Sequence, residues 1–141
     1  MVLAYLEERF GLGPAHFEGF GLYLASKGRV YLGPRVAISQ PRVVTLGLLI
    51  ARISRAVKPS TNLLQAFGAM VTKNYIELDR IQTISYAKGE DIRLSPESVK
   101  SASEGYILLR YSGIPLGCGL LNGQEVKNML PKAKRLELHF L

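Results

Sequence analysis

The chain has 141 residues, 48% of them hydrophobic, and a single cysteine, which supports a packed core and excludes disorder, an internal disulfide framework and any cysteine-cluster zinc site. No apolar run reaches the roughly 20 residues of a membrane span, and Glu7 and Glu8 stand where a leader would carry basic residues, so a soluble cytoplasmic protein is expected. Net charge is +7, which favours polyanions as partners.

Residues 2–10 put Leu3, Leu6 and Phe10 near one helical face, and Gly11 with Gly13-Pro14 ends that helix. "FGLYLASKGRVYLG" predicts a hairpin turning at Lys27-Gly28, with Leu22, Leu24, Val30 and Leu32 on one side. Pro34 and Pro41 punctuate the stretch after the hairpin. "RVVTLGLLIARI" is strand or buried helix, and its period does not decide between them. Next, Pro59 and an N-cap at Ser60 or Thr61 precede a Leu63, Leu64, Phe67 stripe, which predicts a helix.

A second block starts near Thr72. "TKNYIELD" alternates as a strand, "DRIQTISYAKG" is a short helix capped by Asp79 and closed at Gly89, and "DIRLS" is a short strand. "GYILLRYSGIPLGCGLLNG" predicts two strands around Ser112-Gly113, with Tyr106 and Leu108 on the inward face. "EVKNML" and "RLELHFL" are the expected last two strands. Strand, helix, then four or five strands with tight turns suggests a small barrel, whose closure removes an exposed edge. The expected class is therefore α+β: a small N-terminal α/β domain over 1–71 and a C-terminal mixed β-barrel over 72–141.

Charge is unevenly spread. From Gly19 to Ile76 there is no Asp or Glu, while Lys27, Arg29, Arg35, Arg42, Arg52, Arg55, Lys58 and Lys73 fall in that window. A second acid-free run, Val126 to Arg135, holds Lys127, Lys132, Lys134 and Arg135 around Pro131. A positive surface for solubility explains part of this. Mutual repulsion at such density is better relieved by phosphate, which every added acid would weaken, so nucleic acid is the favoured partner.

Catalytic constellations do not emerge. Gly11-Leu12-Gly13 and Gly117-Cys118-Gly119 lack the third glycine and the strand-to-helix setting of a dinucleotide site. His16 and His139 have no metal-pair spacing, and Cys118 between two glycines of an apolar strand reads as a small buried residue. Asp79, Glu90 and Asp91 are placed as a helix cap and a turn. No catalytic residue, metal or cofactor is assigned, and the chain is not expected to be an enzyme by itself.

One segment carries a family likeness. Gly105-Tyr106-Ile107, then Pro115 to Gly119, then Lys127, Asn128, Pro131, Lys132 and Arg135 in a Lys-Asn-x-x-Pro-Lys-x-x-Arg pattern resemble the PUA-like RNA-binding domain of Sun-family rRNA 5-methylcytosine methyltransferases. The resemblance covers roughly residues 55–141. The N-terminal half is more loosely similar to the small domain preceding PUA-like domains, including that of Nip-type ribosome-assembly factors. The methyltransferase's cofactor domain and catalytic cysteines are missing, so methylation is not carried over. What the resemblance implies is a PUA-like barrel and RNA binding in rRNA or tRNA maturation, as adaptor to a methyltransferase or a ribosome-assembly complex.

With the acid-free window, it nominates Lys73, Lys88, Arg110, Lys127, Lys132, Lys134 and Arg135, together with Arg52, Arg55 and Lys58, as RNA-binding residues. Tyr31, Tyr75, Tyr106 and Tyr111 are stacking platforms or core. Two alternatives stay open: an assembly factor acting chiefly through protein contacts of its N-terminal block, and a small enzyme subunit completed by a partner.

Overall fold

The computed structural model describes residues 1–35 and 47–135. Pro41, Arg42 and the expected last strand from residue 136 onward lie outside the described residues. Helices and strands mix. In chain order they are α1 (Val2–Phe10), β1 (Phe20–Leu24), β2 (Arg29–Pro34), β3 (Leu48–Ile53), β4 (Val57–Pro59), α2 (Thr61–Phe67), β5 (Tyr75–Glu77), α3 (Arg80–Ala87), β6 (Ile92–Arg93), β7 (Gly105–Tyr111), β8 (Ile114–Asn122) and β9 (Glu125–Asn128).

The strands form two sheets. One is an antiparallel sheet of order β1-β2-β3-β4; the other is a five-stranded curled half-barrel of order β5-β7-β8-β9-β6. Among the described residues only the β5–β7 pair is parallel, which makes the second sheet mixed. Among the described residues its edges, β5 and β6, are not joined to each other.

Local chemistry explains the helices and the hairpins. In α1 the fully inward positions are Val2, Leu6 and Phe10, spaced by four residues, and Gly11 ends the helix in the left-handed region at φ 72°. Of the ambiguous segment, Leu48–Ile53 forms β3, a strand paired on both sides. The Ser60 hydroxyl accepts from the Leu63 amide at 3.0 Å and caps α2. Asp79 and Gln82 close a reciprocal capping box on α3. The β1–β2 turn holds Lys27 at φ 61° and Gly28 at φ 70°, the pair of positive φ values that matches strand twist.

The hairpin's apolar side is only half covered. Leu22 faces Leu32 and Leu24 faces Val30 in register, as expected. Val30 and Leu32 are buried, whereas Leu22 and Leu24, on an edge strand, are exposed.

Two apolar clusters share β7. Leu108 joins α1, α2, β2 and β3 in one core, with Cys118 of β8, while Ile107 and Leu109 join Tyr86, Ile92, Leu121 and Val126 inside the half-barrel. A strand buried on both faces carries a continuous apolar run, here "ILL", rather than an alternation. The expected inward face of Tyr106 and Leu108 is thus the seam with the first sheet, and Ile107 and Leu109 fill the half-barrel.

The glycines of β8 have a packing reason. A Cβ on Gly117 would stand 2.5 Å from the Tyr86 hydroxyl oxygen, and one on Gly119 would stand 2.4 Å from a Val126 methyl. That vacated space lets Tyr86 reach across and donate to the Cys118 carbonyl at 2.7 Å. Cys118 is buried, and its thiol is pushed up to about 12 by desolvation, so it stays protonated as a core residue.

The first hairpin supplies a test of this packing. A Cβ at Gly28 would lie 1.9 Å from the Ile53 carbonyl oxygen, a backbone atom that cannot step aside, and φ there is positive. Gly28→Ala is expected to destabilise the protein by roughly 2 kcal/mol or more, while Lys27→Gly is neutral or slightly stabilising. Urea midpoints of the two variants check the contrast; equal midpoints would refute it.

Candidate nucleic-acid interface

The basic segment after β9 is held in place from below by one side chain. Along β9, Val126 and Asn128 point inward while Glu125 and Lys127 point outward, the ordinary alternation of a strand. Asn128 is 8% exposed. Its amide nitrogen donates to the carbonyls of Tyr86 at 2.8 Å and Glu90 at 2.9 Å, and its amide oxygen accepts from the Leu130 N–H at 2.8 Å. Its own backbone N–H meets an Asp91 carboxylate oxygen at 2.8 Å. The end of α3, the turn into β6 and the start of the tail are therefore tied to one point.

From there the tail passes the β3–β4 pair at Pro131 and reaches α2 and Gly89. Pro131 lines a cavity of about 250 Å³ together with Met129, Arg52, Lys58 and Thr61. A single 3-10 turn covers Lys132–Lys134. The Lys134 ammonium donates to the Gln65 side-chain oxygen of α2 at 3.2 Å, and Gln65 itself donates to the Leu116 carbonyl. Arg135 donates from Nε to the Leu130 carbonyl at 3.1 Å, and its side chain lies over Gly89, next to Lys88. Lys132 is exposed.

Strand register places three cations in one row. Arg29 is directly opposite Arg52, and Arg52 is directly opposite Lys58. Directly paired residues share a face, and like charges in such pairs are destabilising. Arg29 is turned onto Ser26. None of the ion pairs among the described residues includes Arg52 or Lys58.

Of the ten nominated cations, then, Arg52 and Lys58 meet around the Pro131 cavity, and Lys132, Lys134 and Arg135 continue from it toward Lys88. Arg55 is exposed in the β3–β4 turn. Three others lie elsewhere. Arg110 is taken up internally: Nε donates to Glu77 at 2.9 Å and the guanidinium sits 3.7 Å from the Tyr75 ring centroid. Lys73 is at the α1 end of β5, with its ammonium 3.5 Å from the Glu8 carbonyl. Lys127 is on the outward side of β9, around a hollow shared with Asp91 and Glu125.

Tyr75 is thereby occupied as a platform for Arg110, and Tyr106 packs against the shared core. Arg9, in sequence merely a cation beside Glu7 and Glu8, is structural: it donates to the carbonyls of Tyr106 at 2.7 Å and Ser103 at 2.6 Å. Gln65, Asn128 and Thr61 have no charge to flag them in sequence. Only the Lys-Asn-x-x-Pro pattern points to Asn128, and it does not say why.

This segment is where comparison with known proteins becomes informative. Residues 73–136 match the family described as the methyltransferase RsmF PUA domain. A 67-residue stretch is 36% identical to the Ribosomal RNA small subunit methyltransferase F of Aeromonas salmonicida (strain A449). The matched stretch is 48% of this chain but only 13% of that relative. Residues 73–136 fit a PUA-like domain related to those of Sun-family methyltransferases. The family match reaches the PUA part and begins at Lys73, so Arg52, Arg55 and Lys58 lie outside it. No helix among the described residues is long and apolar enough to cross a membrane.

The Asn128 node is open to test. Asn128→Leu would leave the part-buried Glu90 carbonyl and the buried Leu130 N–H without partners, while the Tyr86 carbonyl keeps the Gly89 N–H, so a loss of roughly 2 kcal/mol is expected. Urea unfolding with an unchanged slope measures it. A midpoint within experimental error of the parent would show that the amide does not hold the tail.

Proposed function

We propose that this chain is a non-catalytic RNA-binding protein of rRNA or tRNA modification, acting in the cytoplasm as an adaptor to a methyltransferase or a ribosome-assembly complex. The observation that carries the reading is that Pro131 lines one cavity with Arg52 and Lys58, next to an acid-free sheet, while Lys132, Lys134 and Arg135 follow it directly in the chain. Likeness to the PUA domain of an rRNA methyltransferase supports RNA as the polyanion. Phosphates would neutralise cations that otherwise repel, and the position of the tail would set the path of the strand.

The second reading, an N-terminal block that grips another protein, draws on β1. There Phe20, Leu22 and Leu24 are exposed on an edge strand. Leu22→Gln with Leu24→Gln would abolish partner capture under that reading and leave RNA affinity unchanged.

Salt and charge variants test the leading reading together. With about five phosphate contacts to single-stranded RNA, affinity falls roughly a hundredfold between about 50 and 200 mM salt. Lys132→Glu combined with Arg52→Glu weakens RNA at least tenfold and lowers the salt slope by about 1.4 on a single strand. Arg52→Glu alone is neutral or stabilising in thermal unfolding, because it relieves repulsion from Arg29 and Lys58. Lys100→Glu, at a surface cation paired with Glu97, leaves RNA affinity unchanged. A salt-independent affinity, or a double variant that binds like the parent, would overturn the reading.

A further inference from the structure

We infer that the cavity between β3, β4, α2 and Pro131 is a socket for one phosphate group. This rests on the RNA-binding reading for the source of the phosphate, but its geometry needs none of the tail's cations. Arg52 and Lys58 are directly opposite each other in the β3–β4 pair and both line the cavity. No acid occurs between Gly19 and Ile76 to neutralise them. Met129 and Pro131 also line it and present no charge, so Arg52 and Lys58 are the charged residues among the described lining.

A second observation comes from Thr61, which also lines this space. It is 5% exposed, and its hydroxyl has no hydrogen-bond partner among the described residues. Its methyl is the branch turned to the sheet, 3.3 Å from where a Gly117 Cβ would be. A buried hydroxyl without a partner costs stability unless a ligand completes it. Thr in a helix uses two χ1 wells about 120° apart, so a switch of rotamer presents the hydroxyl to an incoming oxygen. Two cations, a donor without a partner and apolar lining residues are the elements of a phosphate site. At about 250 Å³ the cavity also leaves room for water around the group.

The phosphate is either the 5′-terminal monoester of an RNA or an internal diester, and the experiment separates them. The full chain is titrated, by amide NMR, with inorganic phosphate and with single-stranded RNA decamers bearing either a 5′-phosphate or a 5′-hydroxyl. Inorganic phosphate is expected to shift the amides of Thr61 and Asn62. Thr61→Val and Lys58→Gln should each weaken that binding several-fold, and Thr61→Ser should preserve it. Thr61→Val should keep or raise the melting temperature, which separates loss of the site from loss of the fold.

If the socket takes a terminal phosphate, the 5′-phosphorylated strand binds at least tenfold tighter, and Thr61→Val erases the difference. If it takes a backbone phosphate, both strands bind alike and both lose several-fold in Thr61→Val. The inference is overturned if phosphate moves no amide of the cavity, or if neither strand's affinity changes in Thr61→Val. Failure of the RNA reading looks different: the parent then binds neither strand even at low salt, while the phosphate titration still decides the socket.

Discussion

The side-chain amide of Asn128 is the constraint on which the arrangement of the charged surface depends. An amide has donors and an acceptor at fixed angles, and here they are met by Tyr86, Glu90 and Leu130. The bonds to Glu90 and Leu130 are worth keeping because their loss strands a polar backbone group, while the Tyr86 carbonyl also accepts from the Gly89 N–H. The geometry leaves the chain one direction of exit after β9, across α2 and past Gly89. Pro131 is thereby held against Arg52 and Lys58, and Lys134 against Gln65. Mutual repulsion among the tail's cations is opposed by covalent continuity and by a rigid anchor beneath them.

A second layer of support lies in the spaces left empty of side chain. Gly117 and Gly119 admit Tyr86 and Val126 into the half-barrel, and the Tyr86 hydroxyl then reaches the Cys118 carbonyl. Since Tyr86 also offers its carbonyl to Asn128, the glycine pattern of β8 and the asparagine of β9 belong to one mechanical unit. Burial raises the pKa of the Tyr86 phenol well above its usual range, in keeping with a hydroxyl used as a donor within the core.

Element types were largely legible in the sequence because periodicity, caps and turn residues are local signals. α1, the Lys27-Gly28 hairpin, the Ser60 and Asp79 caps and the β7–β8–β9 meander all arise from them. Less legible was which face of β7 turns where, since a run such as Ile107, Leu108, Leu109 carries no alternation when both faces are covered. The candidate site was legible as charge but not as geometry. Arg110 and Lys127 resemble Lys132 by charge alone, yet one is claimed by Glu77 and Tyr75 and another shares its hollow with Asp91 and Glu125. Those neighbours come from strand pairing far along the chain. Thr61 and Gln65 were invisible for the same reason, being uncharged residues that matter only through what folds onto them.

The tail crosses a seam, and that bears on how such a surface can be inherited. The segment shared with the methyltransferase PUA family, residues 73–136, carries Pro131 and its neighbouring cations, while the facing wall of Arg52, Lys58 and Gln65 comes from upstream. Exchanging the shared segment as a module would transplant one bank of the groove without the other. The two halves are therefore bound to drift together: a shift of α2 along β8 by a single residue would separate Gln65 from Lys134 and unmake the surface, though every charge remained in the sequence.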